Sequence, residues 1–222
     1  FSKEKLRQFR GSEVAMIFQD PMTTLDPVFK ISNQMIEALQ AHQKISRKDA
    51  AKICIEALED VGIADAEKRF DSYPFELSGG MCQRVAIAMA LLAKPRIIIA
   101  DEPTTALDVT MQAQILRLMQ ELQSKYGTAI LLVTHNLGVV WQVCHNVIVM
   151  YAGKIVEKAS VKELYSNSKH PYTWGLMDSM PSLNDTPKEE LSTIDGIPPD
   201  LRTLDDGCNF RYRCKYAQKI CE

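Results

Sequence analysis

Two stretches of this chain carry residue types that could do chemistry on a phosphate. One is Ile97-Ile98-Ile99-Ala100-Asp101-Glu102-Pro103, an apolar run ending in adjacent carboxylates. Such a run suits a buried strand, and open α/β sheets bind ligands beyond the carboxyl ends of their strands. An aspartate there can hold Mg2+, which bridges phosphate oxygens. The glutamate one residue on points elsewhere and can polarise an attacking water. Alone, Asp-Glu-Pro is as often a plain strand-ending turn. The other stretch is Leu77-Ser78-Gly79-Gly80-Met81-Cys82-Gln83-Arg84. Its glycines let backbone approach a ligand, and the helix after them offers unpaired N–H groups and a positive dipole end. Ser78 adds a hydroxyl. The plain alternative is a serine N-cap on a glycine turn.

Gln19 and His135 gain meaning only beside these stretches. Gln19 follows the apolar run Val14–Phe18, and its amide could reach a metal-bound or attacking water. His135 follows the run Ile130–Thr134, which ends at the same edge as Asp101 if the sheet is parallel. A neutral imidazole there can hydrogen-bond a terminal phosphate.

The elements that must position these residues alternate. Strands are expected at 14–18, 96–100 and 129–134, and at 146–151 and 154–157 as a hairpin. Helices are expected at 29–41, from Ser46 to Gly62, and at 80–93, 109–125 and 137–144. On the second, Ser46 is the cap and Ala51, Cys54, Ile55 and Leu58 form one stripe. On the third, Val85, Ala88, Met89 and Leu92 should be buried; on the fourth, Ile115, Leu118, Met119 and Leu122. Pro74 stops any helix before Ser78. Strands alternating with helices argue for a mainly parallel, helix-covered sheet. Beyond Pro181 the prolines and polar residues suggest an irregular arm, then a small cysteine-bearing tail.

Bulk properties narrow the function. A formal net charge of −2 over 222 residues gives no ground for broad nucleic-acid binding. No apolar run approaches the roughly 18–20 residues that cross a bilayer, and the charged first 13 residues show no signal peptide. Membrane association must then come through a partner. With no secretion signal, a reducing compartment is expected, where the clustered Cys208, Cys214 and Cys221 point to metal rather than disulfides.

Gln19, Ser78-Gly79-Gly80, Asp101-Glu102, Asp108 and His135 occur in the order and spacing of an ABC-transporter ATPase, which residues 1–160 resemble without a gap. In that family they are the Q-loop, the signature motif, the Walker B pair, the D-loop and the H-loop. Three longer matches resemble the ATP-binding subunits of bacterial or archaeal oligopeptide/dipeptide importers, some relatives of which carry nickel. They are Met-Ile-Phe-Gln-Asp-Pro-Met-Thr-Thr-Leu-Asp-Pro (16–27), the signature stretch (77–84), and His-Pro-Tyr-Thr-Trp-Gly-Leu-Met (170–177). The resemblance implies a P-loop NTPase-like α/β fold over 1–160, with a helical subdomain at about 29–92. It implies a peptide-importer extension over 161–222, with a cysteine tail at 208–221. It implies ATP and Mg2+ and a subunit at the cytoplasmic face of the membrane. That subunit pairs head-to-tail with a second ATPase, docks on two permeases, and serves an extracytoplasmic peptide-binding protein. Carried over, Glu102 is the general base and His135 senses the γ-phosphate. Gln19 contacts Mg2+ or the attacking water, and Asp101 assists Mg2+. Ser78, Gly79 and Gly80, with Gln83 beside them, bind nucleotide held mainly by the partner. Asp108 couples the two sites.

The chain departs from the family in one respect. It contains no Gly-x-x-x-x-Gly-Lys-Ser/Thr; its one Gly-Lys pair is Gly153-Lys154, in the expected hairpin. The family's first strands and adenine-stacking aromatic residue are also missing. A fragment or truncated product is therefore expected, with little ATP binding or hydrolysis alone and an exposed apolar surface. In relatives the tail commonly has a fourth cysteine and can carry a [4Fe–4S] cluster. Here Cys208, Cys214 and Cys221 supply three thiols, so a cluster, zinc and no metal all stay open. The alternatives to a hydrolysing subunit are a non-catalytic one that completes a partner's site, and a metal-binding or docking module. The 170–177 segment and the cysteine tail argue against the soluble ABC proteins of DNA repair or translation.

Overall fold

The computed structural model describes residues 2–180 and 193–222. The expected arm beyond Pro181 lies largely outside them. The chain divides into two compact units, Phe1–His135 and Asn136–Glu222.

The first unit opens with α1 (Lys3–Ser12), then β1 (Val14–Ile17) and the short α2 (Pro21–Thr24). Four helices follow: α3 (Ile31–Gln40), α4 (Arg47–Asp60), α5 (Ala66–Phe70) and α6 (Gly79–Leu91), with a 3-10 turn at Pro74–Glu76 before the last. Then come β2 (Ile97–Asp101), α7 (Val109–Tyr126) and β3 (Ala129–Val133). The three strands form one parallel sheet, ordered β1-β2-β3, with Ile17 opposite Ala100 and Asp101 opposite Val133. Ala15, Ile17, Ile98 and Ala100 lie on its buried face, in one core with α3, α4, α6 and α7. On the other face Met16, Ile97, Leu131 and Val133 are exposed.

The helices begin where short polar residues can accept from their first N–H groups. Ser46 accepts from Asp49 N, Ser78 from Met81 N, and Asp108 from Thr110 N and Met111 N. α7 buries Ile115, Leu118, Met119 and Leu122 as its period requires. On α4 the buried row is Ala50, Cys54 and Leu58, an i, i+4 series, while Ala51 and Ile55 are half-buried at its edge. Met89 is likewise half-buried, since α6 turns Val85, Ala88, Leu91 and Leu92 to the core.

The second unit contains α8 (Leu137–Val143), the antiparallel hairpin β4 (Asn146–Tyr151) and β5 (Lys154–Ser160), then α9 (Val161–Asn167) and α10 (Pro171–Asp178). β5 runs three residues beyond the expected 157, and neither α9 nor α10 was expected as a helix. The 170–177 motif is the N-cap and all but the last residue of α10. His170 caps it by accepting from Tyr172 N at 3.1 Å, and Pro171 sits where a missing N–H costs nothing. Glu157 seals the same end, accepting from Lys169 N at 2.6 Å, His170 N at 3.1 Å and Thr173 Oγ1 at 2.5 Å. The tail forms short 3-10 turns, with Phe210 buried against Tyr151 and Tyr172.

Candidate functional site

The carboxyl ends of the three parallel strands bring three distant side chains together, with a fourth from the turn after β2. Glu102 follows β2. Its Oε2 accepts from Gln19 Nε2, beyond β1, at 2.9 Å, and from Thr105 Oγ1 at 2.9 Å. Its Oε1 lies 2.7 Å from Nδ1 of His135, beyond β3. The sheet register sets this up, because parallel strands in register end at one edge. Thr105 carried no expected role; its signal was a hydroxyl three residues after the glutamate.

The backbone of Glu102 is left-handed, with φ 42°. A non-glycine residue there costs on the order of 1–3 kcal/mol, and such strain gathers at functional sites. Two bonds hold it: Glu102 N donates to Val133 O at 2.9 Å, and Thr105 N donates to Glu102 O at 3.2 Å. The turn takes the Glu102 side chain out of strand alternation and toward Gln19 and His135.

The hydrogen bond with His135 and then that from Thr105 hold the Glu102 carboxyl below the usual carboxylate range, outweighing a smaller desolvation penalty. The group is thus ionised at neutral pH and can accept a proton from a water placed against it. Asp101 ends β2 one residue before, half-buried.

The signature stretch forms a second group. Ser78 and Gly79 are exposed at the first turn of α6, and Gly80 is buried. A Cβ on Gly80 would lie 2.2 Å from Met111 Cε, so the missing side chain is what lets α6 approach the first turn of α7. Asp108, exposed, caps that turn. Gln83 is not brought to this surface. It is 1% exposed in the core, and its Nε2 has no partner among the described residues. The helical period explains this, because Gln83 faces inward between Cys82 and Ile87.

Mg2+ keeps several waters and takes one or two carboxylates besides phosphate oxygens. Asp101 and the Gln19 amide, at adjacent strand ends, are hard oxygen donors of that kind. ATP phosphates need N–H and O–H donors facing solvent, which Ser78 and Gly79 offer. The tail does not meet the corresponding requirement. Cys208 N donates to Cys221 O at 2.9 Å, Cys208 Sγ lies 3.9 Å from His170 Nε2, and Cys214 Sγ accepts from Tyr216 N at 3.4 Å. No group of three or more His, Cys, Asp or Glu among the described residues is placed to hold a metal ion. The iron–sulfur cluster or zinc left open for Cys208, Cys214 and Cys221 thus finds no assembled ligand set among the described residues.

This sheet edge and its helical insertion define an ATP-binding cassette of the ABC class. Two family models match the chain: "ABC transporter" over residues 2–105, and "Oligopeptide/dipeptide transporter, C-terminal region" over 156–221. A putative peptide import ATP-binding protein of Brucella melitensis is 52% identical over 99% of this chain and 66% of its own length. The oligopeptide transport ATP-binding protein OppD of Haemophilus influenzae is 48% identical over 98% of this chain and 67% of its own. The chain belongs to the family of ABC-transporter ATP-binding subunits with an oligopeptide/dipeptide-type C-terminal region. It spans about two thirds of the length of these relatives.

Among solved structures, an ATP-binding cassette in a dimeric post-hydrolysis state bound to ADP and Pi superposes with TM-score 0.63 at 27% identity, covering 72% of this chain and 68% of that one. The cbiO1 protein of Clostridium perfringens, part of an ABC transporter complex, does so with TM-score 0.63 at 31% identity, covering 74% and 62%.

Proposed function

We propose that this chain is the ATP-binding and hydrolysing part of a subunit that drives peptide uptake through an ABC importer. The observation that carries this reading is the Glu102 carboxyl group, fixed by Gln19, Thr105 and His135 at one sheet edge. Glu102 takes the proton from the attacking water, and Gln19 and His135 fix the direction in which the carboxylate points. Asp101 and Gln19 are the residues that would hold Mg2+. When bound, Mg2+ neutralises charge on the phosphate oxygens. Ser78 and Gly79, on the exposed first turn of α6, bind nucleotide held by a second ATPase subunit, and Asp108 beside them couples the two sites. Within these 222 residues there is no phosphate-cradling Gly-Lys loop, so this polypeptide by itself should hydrolyse ATP poorly.

No helix among the described residues is long and apolar enough to cross a membrane. On the strength of its family, the subunit works as a peripheral partner of transmembrane permeases at the cytoplasmic face, fed by an extracytoplasmic peptide-binding protein. Uptake of a labelled oligopeptide into vesicles bearing the assembled importer tests this. Uptake should require internal ATP and stop with Glu102→Gln. Uptake that continues with that variant overturns the reading.

A further inference from the structure

Arg84 is given no role by the site described above, yet the fold provides it with a fitted seat. α4 ends in a tight left-handed turn: Gly62 N donates to Glu59 O at 2.8 Å and Ile63 N to Leu58 O at 3.0 Å. That turn leaves the carbonyl of Val61 for the Arg84 guanidinium, which donates to it through Nη1. A positive group at a helix C-terminus also meets the negative end of its dipole. Gly62 has φ 74°, and a Cβ on it would lie 3.0 Å from Arg84 Nη1, so the glycine serves both the turn and the seat. Through Nη2 the same guanidinium reaches Gln114 Oε1 on α7 at 3.3 Å.

Two contacts therefore join α6 to α7, four residues apart on α6 and three apart on α7. Gly80 meets Met111 at the first turn, and Arg84 meets Gln114 one turn later. Met111 belongs to the turn that Asp108 caps. α6 and α7 are thus fastened at two points along one ridge, just behind the exposed Ser78, Gly79 and Asp108.

We propose that Arg84 is a positioning residue. It locks the signature turn (Ser78–Gly80) and Asp108 into one body and anchors that body to the end of α4. Both motifs then meet the partner subunit in a fixed relative orientation. The inference rests on the reading that Ser78 and Gly79 serve nucleotide held by the partner. A lysine cannot replace the arginine, because one ammonium lacks the planar fork that spans Val61 O and Gln114.

The test is ATP-dependent association of the complete subunit with its partner ATPase subunit, measured by sedimentation. A Glu102→Gln background is used so that ATP persists. Arg84→Met keeps the apolar stem and removes the fork. It should weaken association in ATP by about tenfold, the scale of one lost hydrogen bond to a charged group, with the nucleotide-free association unchanged. Gln114→Leu cuts only the α7 end and should weaken it in the same direction, while Gln114→Glu, which keeps an acceptor for Arg84, should restore it. These two carry the test if Arg84→Met does not fold. Association in ATP that is unchanged with Gln114→Leu, or equally weak with Gln114→Leu and Gln114→Glu, overturns the inference. A Glu102→Gln parent that shows no ATP-dependent association fails differently: it refutes the assigned role of Ser78–Gly80, and this inference with it.

Discussion

Two glutamates in this molecule each collect three donors, and they have opposite uses. Glu157 accepts from Lys169 N, His170 N and Thr173 Oγ1; Glu102 accepts from Gln19 Nε2 and Thr105 Oγ1 and pairs with His135 Nδ1. Burial pushes the Glu157 carboxyl up, but Thr173 and the two backbone N–H groups more than offset this and leave it lowered. Glu102 is lowered chiefly by His135. The partners set the roles apart. Those of Glu157 lie within 16 residues, include two backbone N–H groups at the start of α10, and include Thr173, which is fully buried. That carboxylate closes a helix end. Those of Glu102 come from as far as 83 residues away, all through side chains, around a strained backbone open to solvent. A carboxylate fixed by exposed side chains at a sheet edge can still accept a proton.

Paired substitutions should separate the two. Glu102→Gln removes the proton acceptor and should cut ATP turnover of the assembled importer by about 10²–10⁴-fold, the usual worth of a positioned base, with only a small change in melting temperature because its partners are exposed. Glu157→Gln should do the reverse. Both oxygens of Glu157 accept, so either orientation of the amide sets an NH2 against a donor. The expected loss is about 2 kcal/mol in chemical denaturation, with turnover per folded molecule unchanged. Thr173→Val, which strips one buried bond from the same carboxylate, should cost about 1 kcal/mol. Thr105→Val is its counterpart at the other site; it should slow turnover several-fold and leave stability alone. If Thr105→Val instead lowered the melting temperature and spared turnover, Glu102 would be a structural group like Glu157.

The contrast also shows what was legible in the sequence. Gln19, Glu102 and His135 could be grouped from sequence because each follows an apolar run, and a parallel sheet puts the ends of such runs together. Ser46 read correctly as a cap because capping is local, and the plain alternative for Ser78, an N-cap, also holds; Asp108 caps α7 too, although only a coupling role was expected of it. Gln83 read as a surface residue because of its neighbours, but the phase of α6 turns it into the core. The cysteines, close in sequence, left cluster, zinc and no metal open; among the described residues Cys208 Sγ lies against His170 Nε2, Cys214 Sγ accepts from Tyr216 N, and no three such ligands are placed together. α9 and α10 were missed because each is short, and α10 depends on Glu157, 14 residues before Pro171, to close its first turn. Glu157 itself gave no signal, since one glutamate on a hairpin strand is ordinary.

The smallest expected effect is also the most direct test of the central claim, that His135 and Thr105 hold Glu102 as a fixed, ionised base. A lowered folded-state pKa means that the contribution of these contacts is present above the unfolded carboxylate value and is lost as pH falls through the lower folded value. The measurement is a carbon-13 NMR titration of the Glu102 side-chain carboxyl, in the native protein and in His135→Gln. The account predicts a midpoint below the ordinary glutamate value in the native protein, moving upward when His135 is replaced. An ordinary midpoint that does not move with His135→Gln would contradict it.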